Sequence, residues 1–371
     1  MTPAESFRAL LRGGGPLLAL APMQDVTDPA FWGVQARHGG ADLYWTEYFR
    51  VHRDSRPEKY ILDSITQNPT GRPVIAQMIG NDIPALLRTA RALQQYPVAG
   101  IDLNLGCPAP VVYRKCAGGG LLREPAKIDA ILGALREAIA IPLTVKTRIG
   151  FDSADGFDQL LELFANHAVD LVTVHGRTVK QMYRAAVRYD LIARAAGQLA
   201  CPVLANGNVH GPEQALAVLA ATGARGLMIG RGVIRNPWLF RQIRQRQRGE
   251  TPTLPTGREV LAYVAELWEA QTSPQARESA RVQRLKKFMN FIGEGLEPPE
   301  PFLHDIRRAA TQADFFRVCA AYLDHDRPMR LEPAGPAAAP QEVEAACAQS
   351  PSKEIPVLLA EKVISLGVKC L

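Results

Sequence analysis

Short apolar, β-branched runs recur along the first two thirds of the chain, at 17–23, 42–49, 74–80, 100–105, 143–150, 170–176, 202–208 and 226–232. Short runs of this kind, separated by helical stretches, read as strands of a parallel sheet. Between them lie Ala/Leu-rich amphipathic stretches at 83–95, 126–140, 157–167 and 212–222, spaced for one apolar helix face. Asp28-Pro29 and Gly211-Pro212 are suitable helix starts, because proline in the first turn lacks only an N–H that would have no partner there. Eight strand–helix units in about 230 residues predict a (β/α)8 TIM barrel, which typically needs about 250. A doubly wound open sheet accommodates eight evenly spaced parallel strands less well.

After Gly249 the pattern becomes purely helical. It predicts helices at 258–271 and 278–291, and one or two more within 301–323. In the second, Val282, Leu285, Met289 and Ile292 form an apolar stripe, while Arg277, Arg281, Arg284, Lys286 and Lys287 lie on or near an adjoining face. The expected organisation is a barrel over 1–249, a small all-α domain over 250–331, and a Pro/Ala-rich linker and tail over 332–371. One short amphipathic piece in that tail, 355–368, is assigned no function.

Composition adds few constraints. The 47% hydrophobic and 22% charged content is that of an ordinary soluble protein. The six cysteines include no CxxC pair, so neither a zinc site nor a disulfide framework is expected, and reduced thiols in a cytoplasmic protein are the default. The apolar run at 17–21 follows Arg8 and Arg12 but is too short for a signal peptide and is preceded by Gly13-Gly14-Gly15. No run approaches a membrane span, and a monomer is expected. The net charge of +6 matters less than its distribution. Between Gln214 and Gly249 there are seven arginines and no acid, ending in Arg241, Arg244, Arg246 and Arg248. Such a run is ordinarily a solvated helix end; beside an active site it points to phosphate or nucleic acid.

The strands end in polar or reactive residues. In order these are Met23-Gln24-Asp25, Thr46-Glu47, Gln77, Asn104 with Cys107, Lys146 with Arg148, His175 with Arg177, Asn206-Gly207-Asn208, and Gly230-Arg231. Polar groups at the ends of apolar strands are costly unless used, and barrels keep their chemistry at this end. The glycine turns after strands seven and eight, with Arg231, suit a phosphate and hence a phosphorylated cofactor. Lys146 and Arg148 share one face of strand five, where a lysine serves as a Schiff base, an oxyanion stabiliser or a cation against an anionic ring. His175 has no companion at metal-ligand spacing, so no metal site is expected. Cys107 is open to three readings: an inert buried residue, a nucleophile with His175 as base, or a general acid. Cys116 competes with it from the same loop.

Several of these segments occur in the order seen in tRNA-dihydrouridine synthases. They are Ala21-Pro22-Met23, Gln77, Asn104-Leu105-Gly106-Cys107-Pro108, Gly118-Gly119-Gly120-Leu121-Leu122, Val145-Lys146-Thr147-Arg148-Ile149-Gly150, His175-Gly176-Arg177-Thr178, Asn206-Gly207-Asn208 and Gly230-Arg231-Gly232. The chain resembles that family over about 17–325. The resemblance implies an FMN enzyme that reduces uridine in tRNA to 5,6-dihydrouridine, with NADPH as electron source. It implies that Pro22, Met23, Gln24, Gln77, Lys146 and His175 contact the flavin, with Lys146 near its N1–O2 edge. Asn206, Gly207, Asn208, Gly230 and Arg231 would hold the phosphate. Flavin N5 would deliver hydride to uracil C6, Cys107 would protonate C5, and Asn104 and Arg177 would hold the base, extruded from its stack. The helical domain and Arg241–Arg248 would grip tRNA phosphates. Gln24-Asp25-Val26 departs from the smaller residues of many members, and the tail has no counterpart. The segments Tyr44-Trp45-Thr46-Glu47-Tyr48-Phe49-Arg50-Val51 and Tyr183-Arg184-Ala185 lean toward the bacterial subgroup acting at tRNA position 16. A small-molecule flavin reductase of dihydroorotate or enoate type, a tRNA-folding module and a Lys146 aldolase are the rival readings.

Overall fold

The computed structural model describes residues 1–333; the expected linker beyond Pro333 and the piece at 355–368 lie outside the described residues. Nine strands form one all-parallel sheet: β1 (Leu17–Leu20), β2 (Tyr44–Trp45), β3 (Phe49–Arg50), β4 (Val74–Ile79), β5 (Gly100–Leu105), β6 (Leu143–Arg148), β7 (Leu171–His175), β8 (Val203–Asn206) and β9 (Gly226–Ile229). The order β1-β9-β8-β7-β6-β5-β4-β2 closes through a parallel bridge between Ala19 and Leu43. This is the expected TIM barrel, with β2 and β3 sharing the second strand position. The break falls at Thr46, whose Oγ1 accepts the Gln77 N–H at 3.0 Å. The observed β8 and β9 are shorter than expected, because their polar ends have become loops lining the cavity.

Side-chain alternation sorts the barrel interior into layers. The lower interior is apolar, with Leu17, Ile75, Leu171, Leu204 and Met228 packed around Phe7. Phe7 belongs to helix Pro3–Arg12, an element the hydrophobic pattern did not reveal, although its Thr2/Glu5 capping box is a local signal. The next inward positions are polar: Gln77, Asp102 and Thr144, then Asn104, Lys146, His175 and Asn206.

Among the described residues four helices follow the barrel: Gly257–Gln271, Glu278–Gly293, Pro299–Arg308 and Gln312–Leu323. The expected 301–323 stretch is therefore two helices, the second capped by Thr311, whose side chain accepts the Asp314 N–H at 3.1 Å. They pack directly on the barrel: the Phe31 and Phe288 rings stack at 6.0 Å, and Tyr263 Oη donates to the Ile234 carbonyl at 2.8 Å.

The arginine-rich segment divides: Arg231 lines the cavity, whereas Arg244 is held away from it. Within helix Leu239–Gln247, which follows β9, Arg244 reaches the segment that leads into β2, at the N-terminal face of the barrel. There Arg244 pairs with Asp42 at 2.7 Å and donates to the Gly40 carbonyl at 2.9 Å, while the Asp42 carboxylate accepts the Leu18 N–H at the foot of β1. Arg246 pairs with Glu213 and Arg248 with Glu250. On the helical region, Arg281 and Arg284 are likewise engaged, whereas Arg277 and Lys287 are exposed.

Candidate active site

Strand register places Lys146 opposite Asn104, Arg148 opposite His175, and His175 opposite Asn206. These side chains line a cavity of about 560 Å³ at the carboxyl ends of the strands. Pro22, Met23, Gln24, Cys107, Gly207, Asn208, Gly230 and Arg231 also reach its wall, and Phe291 enters from the helical region. Gln77 and Arg177 do not line it.

Their positions explain why. Gln77 is fully buried; its Nε2 donates to Asp102 at 2.7 Å and its Oε1 accepts from Asn104 Nδ2 at 2.8 Å. Thr144 Oγ1 donates to the other Asp102 oxygen at 2.6 Å. Asn104 Oδ1 in turn accepts the Gly106 and Cys107 N–H groups at 3.0 and 2.9 Å. Polarity along this chain is determined at its cavity end, since backbone N–H groups only donate. Asn104 therefore shapes the Cys107 turn with both ends of its amide engaged. Burial raises Asp102 to about 6, while hydrogen bonds from Thr144 and Gln77 oppose the rise.

Arg177 lies behind His175. Its Nε donates to the Ala185 carbonyl and its Nη1 lies 3.3 Å from His175 Nε2. A guanidinium cannot accept, so this contact makes Nε2 the acceptor and places the imidazole proton on Nδ1. Burial, with Arg148 and Lys146 nearby, holds His175 well below its ordinary range and therefore neutral.

The wall carries Lys146, Arg148 and Arg231 and no carboxylate. Burial and the neighbouring Arg148 depress Lys146 to about 8, and burial with Arg231 depresses Arg177 to about 10. Cations crowded in this way are short of an anion. The phosphate-type loops supply room for one. A Cβ on Gly232 would lie 2.2 Å from the Val209 carbonyl oxygen, one on Gly230 would lie 2.9 Å from Met23 Sδ, and Gly207 has a φ of 129°. Gln24 Oε1 is buried with no partner among the described residues.

Cys107 reaches the cavity and Cys116 does not, which separates the two thiols. Burial pushes the Cys107 thiol up, against opposing effects of the Ala109 backbone, Lys146, Arg148 and Tyr48. It is thus a protonated thiol at neutral pH, suited to proton donation rather than attack. Gly118-Gly119-Gly120 packs beneath it, with the Gly119 N–H donating to the Cys107 carbonyl at 3.2 Å.

Residues not singled out as site residues from sequence complete the mouth. Tyr48 follows the break in the second strand and lines the wall. Tyr183, 48% exposed, lies under the Arg231 guanidinium at 4.8 Å and the Arg148 guanidinium at 5.4 Å. Arg148 itself is held by the carbonyls of Gly106 and Thr178, both at 2.9 Å. Arg284 ties the helical region to the loop behind Gln24, donating to the Asp25 carbonyl and to Asp28, each at 2.7 Å. Both tyrosines stood in the segments that lean toward the position-16 subgroup, but nothing in the sequence placed them on the cavity wall. Among the described residues, no group of three or more His, Cys, Asp or Glu is placed to hold a metal.

Fold and site together define a TIM-barrel protein with a cation-rich, glycine-lined cavity and a protonated cysteine on its wall. Comparison with known families is specific: the model described as "Dihydrouridine synthase (Dus)" matches residues 19–315. The chain belongs to the dihydrouridine synthase family. It is 28% identical over 313 residues to a tRNA-dihydrouridine(16) synthase of Neisseria meningitidis, covering 82% of this chain and 94% of that one. It is 31% identical over 261 residues to a protein of the same name from Pseudomonas syringae, covering 68% and 82%. A tRNA-dihydrouridine synthase B of the latter organism is 35% identical over 227 residues, covering 61% and 67%.

Proposed function

We propose that this protein reduces a uridine of tRNA to 5,6-dihydrouridine, using FMN and NADPH, and that Cys107 supplies the proton to C5. The observation that carries the reading is one cavity combining clustered cations, glycine turns and a protonated cysteine. In a family named for dihydrouridine synthesis, that combination favours a flavin reductase of RNA over a Schiff-base aldolase. The cavity residues fit FMN: Asn206, Gly207, Asn208, Gly230 and Arg231 would hold its phosphate, and Pro22, Met23, Gln24, Lys146 and His175 its ring system. When bound, the reduced flavin supplies the hydride that adds to uracil C6.

The protein's own residues have the remaining tasks. Lys146 contributes positive charge beside the anionic ring, which stabilises charge developing there. His175, neutral and with its tautomer set by Arg177, offers Nδ1–H as a donor. Cys107 transfers its S–H proton to C5, and solvent restores it through the mouth. Gln77 and Arg177 act from behind, Gln77 through Asn104 and Arg177 through His175, while Tyr48 and Tyr183 form the walls that receive an extruded base. Residues 250–331 serve as the RNA-binding unit, with Phe291 bringing that unit to the cavity. The protein acts as a monomer in the cytoplasm; among the described residues no helix is long and apolar enough to cross a membrane.

Position 16 of tRNA is the favoured target. The relatives bearing that number in their names are matched over 94% and 82% of their length, against 67% for synthase B. The long alignment includes the helical region, where RNA placement is decided. Purified protein should carry or take up FMN, oxidise NADPH faster with unmodified tRNA than with orotate or an enone, and restore dihydrouridine at position 16 in tRNA from cells lacking it. Protein that cannot be reconstituted with FMN, or that reduces only small molecules, overturns the proposal.

A further inference from the structure

His210 lines the same cavity beside Asn208 and Gly232, yet none of the family motifs includes it. Its Nδ1 lies 3.2 Å from Arg235 Nη1. A guanidinium has donors only, so Nδ1 must accept and the ring proton must sit on Nε2. Nε2 has no hydrogen-bond partner among the described residues. Arg235 is not available to a ligand itself. It is 1% exposed and is held by the Phe291 carbonyl at 3.1 Å and by Glu294, both from the end of helix Glu278–Gly293 and the turn after it. The His210 backbone is fixed as well, its N–H donating to Gln214 Oε1 at 2.9 Å. The result is an imidazole held in one tautomer, with an unpartnered Nε2–H, on a residue that lines a cavity rich in cations.

We propose that His210 is a phosphate-binding residue, whose Nε2–H donates to the phosphomonoester held in this cavity. Arg235 is the positioning residue that sets its tautomer and connects it to the helical region. The bond is neutral-donor to anion: burial, with Arg235, Arg231 and Arg177 nearby, lowers His210 to about 3, so the imidazole stays uncharged at physiological pH. The proposal rests on the flavin reading only for which phosphomonoester is bound.

Three ligands separate the cases: FMN, riboflavin, which lacks the phosphate, and inorganic phosphate. For His210→Leu, the FMN dissociation constant should rise on the order of 10- to 100-fold, as expected for a lost hydrogen bond to a charged group, with riboflavin binding unchanged. His210→Gln, whose amide nitrogen can stand near the Nε2 position, should recover most of the loss. In the unsubstituted protein, imidazole nitrogen resonances should report the Nε2–H tautomer and move when phosphate or FMN is added. Equal weakening of FMN and riboflavin, no weakening of either, or an Nδ1–H tautomer overturns the proposal. If phosphate moves the His210 resonances while neither flavin binds, the phosphate role stands and the flavin reading fails.

Discussion

Asn104 Oδ1 accepts the backbone N–H of Cys107 at 2.9 Å, so a residue near the end of β5 also determines where the thiol stands. The same oxygen holds Gly106, and the amide nitrogen is held by Gln77. Asn104→Ala leaves two backbone donors without that acceptor, at a cost of about 1–3 kcal/mol each if they stay buried. The expected result is a lower Tm, a changed rate of Cys107 alkylation, and a fall in kcat that exceeds any change in FMN affinity. Unaltered alkylation of Cys107 in this variant would show that the turn holds itself.

The two thiols of the loop should behave differently. Cys107→Ala should retain FMN and tRNA binding and lose dihydrouridine formation by roughly 100- to 10,000-fold, the usual contribution of a positioned general acid. Cys116→Ala, outside the cavity, should be nearly silent. Single-turnover reduction of tRNA under both substitutions distinguishes them, and an interchange of the two outcomes contradicts the assignment.

Lys146 links stability to function. Its folded value of about 8 lies below the ordinary 10.5, so between these limits the unfolded chain binds more protons than the folded one. Without an anion the penalty is complete below about 8 and disappears as pH rises toward 10.5. Lys146→Met should therefore stabilise the flavin-free protein at pH 7, by on the order of 3 kcal/mol at most, and should weaken FMN binding. Denaturant titrations at pH 7 and 10.5 check the sign: the variant's advantage must shrink at the higher pH.

Arg244 tests where RNA does not bind. Arg244→Ala removes partners from Asp42 and the Gly40 carbonyl on the N-terminal face. It should destabilise the barrel by about 1–3 kcal/mol and leave tRNA affinity and its salt dependence unchanged. A reduced salt slope without loss of stability would return this face to the RNA interface.

The strand-and-helix rhythm was legible from the sequence because β-branched runs and amphipathic stretches are local signals. Lys146 and Arg148 could be placed on one face for the same reason, since alternation along a strand is a property of neighbours. The pairing of Arg177 with His175 was not legible, nor was the withdrawal of Gln77 behind Asn104. Each depends on which side chain claims a shared donor or acceptor once the barrel has closed.

By itself, then, the sequence determined the barrel, the ring of polar strand ends and the glycine turns after its last two strands. These follow from periodicity, propensity and spacing along a single chain. Only the tertiary structure put Cys107 on the cavity wall with Cys116 off it, carried Arg244 to the far face, brought Phe291 to the cavity and locked His210 in one tautomer. Those outcomes arise from contacts between residues distant in sequence, where burial and hydrogen-bond geometry decide which chemically similar group faces the cavity.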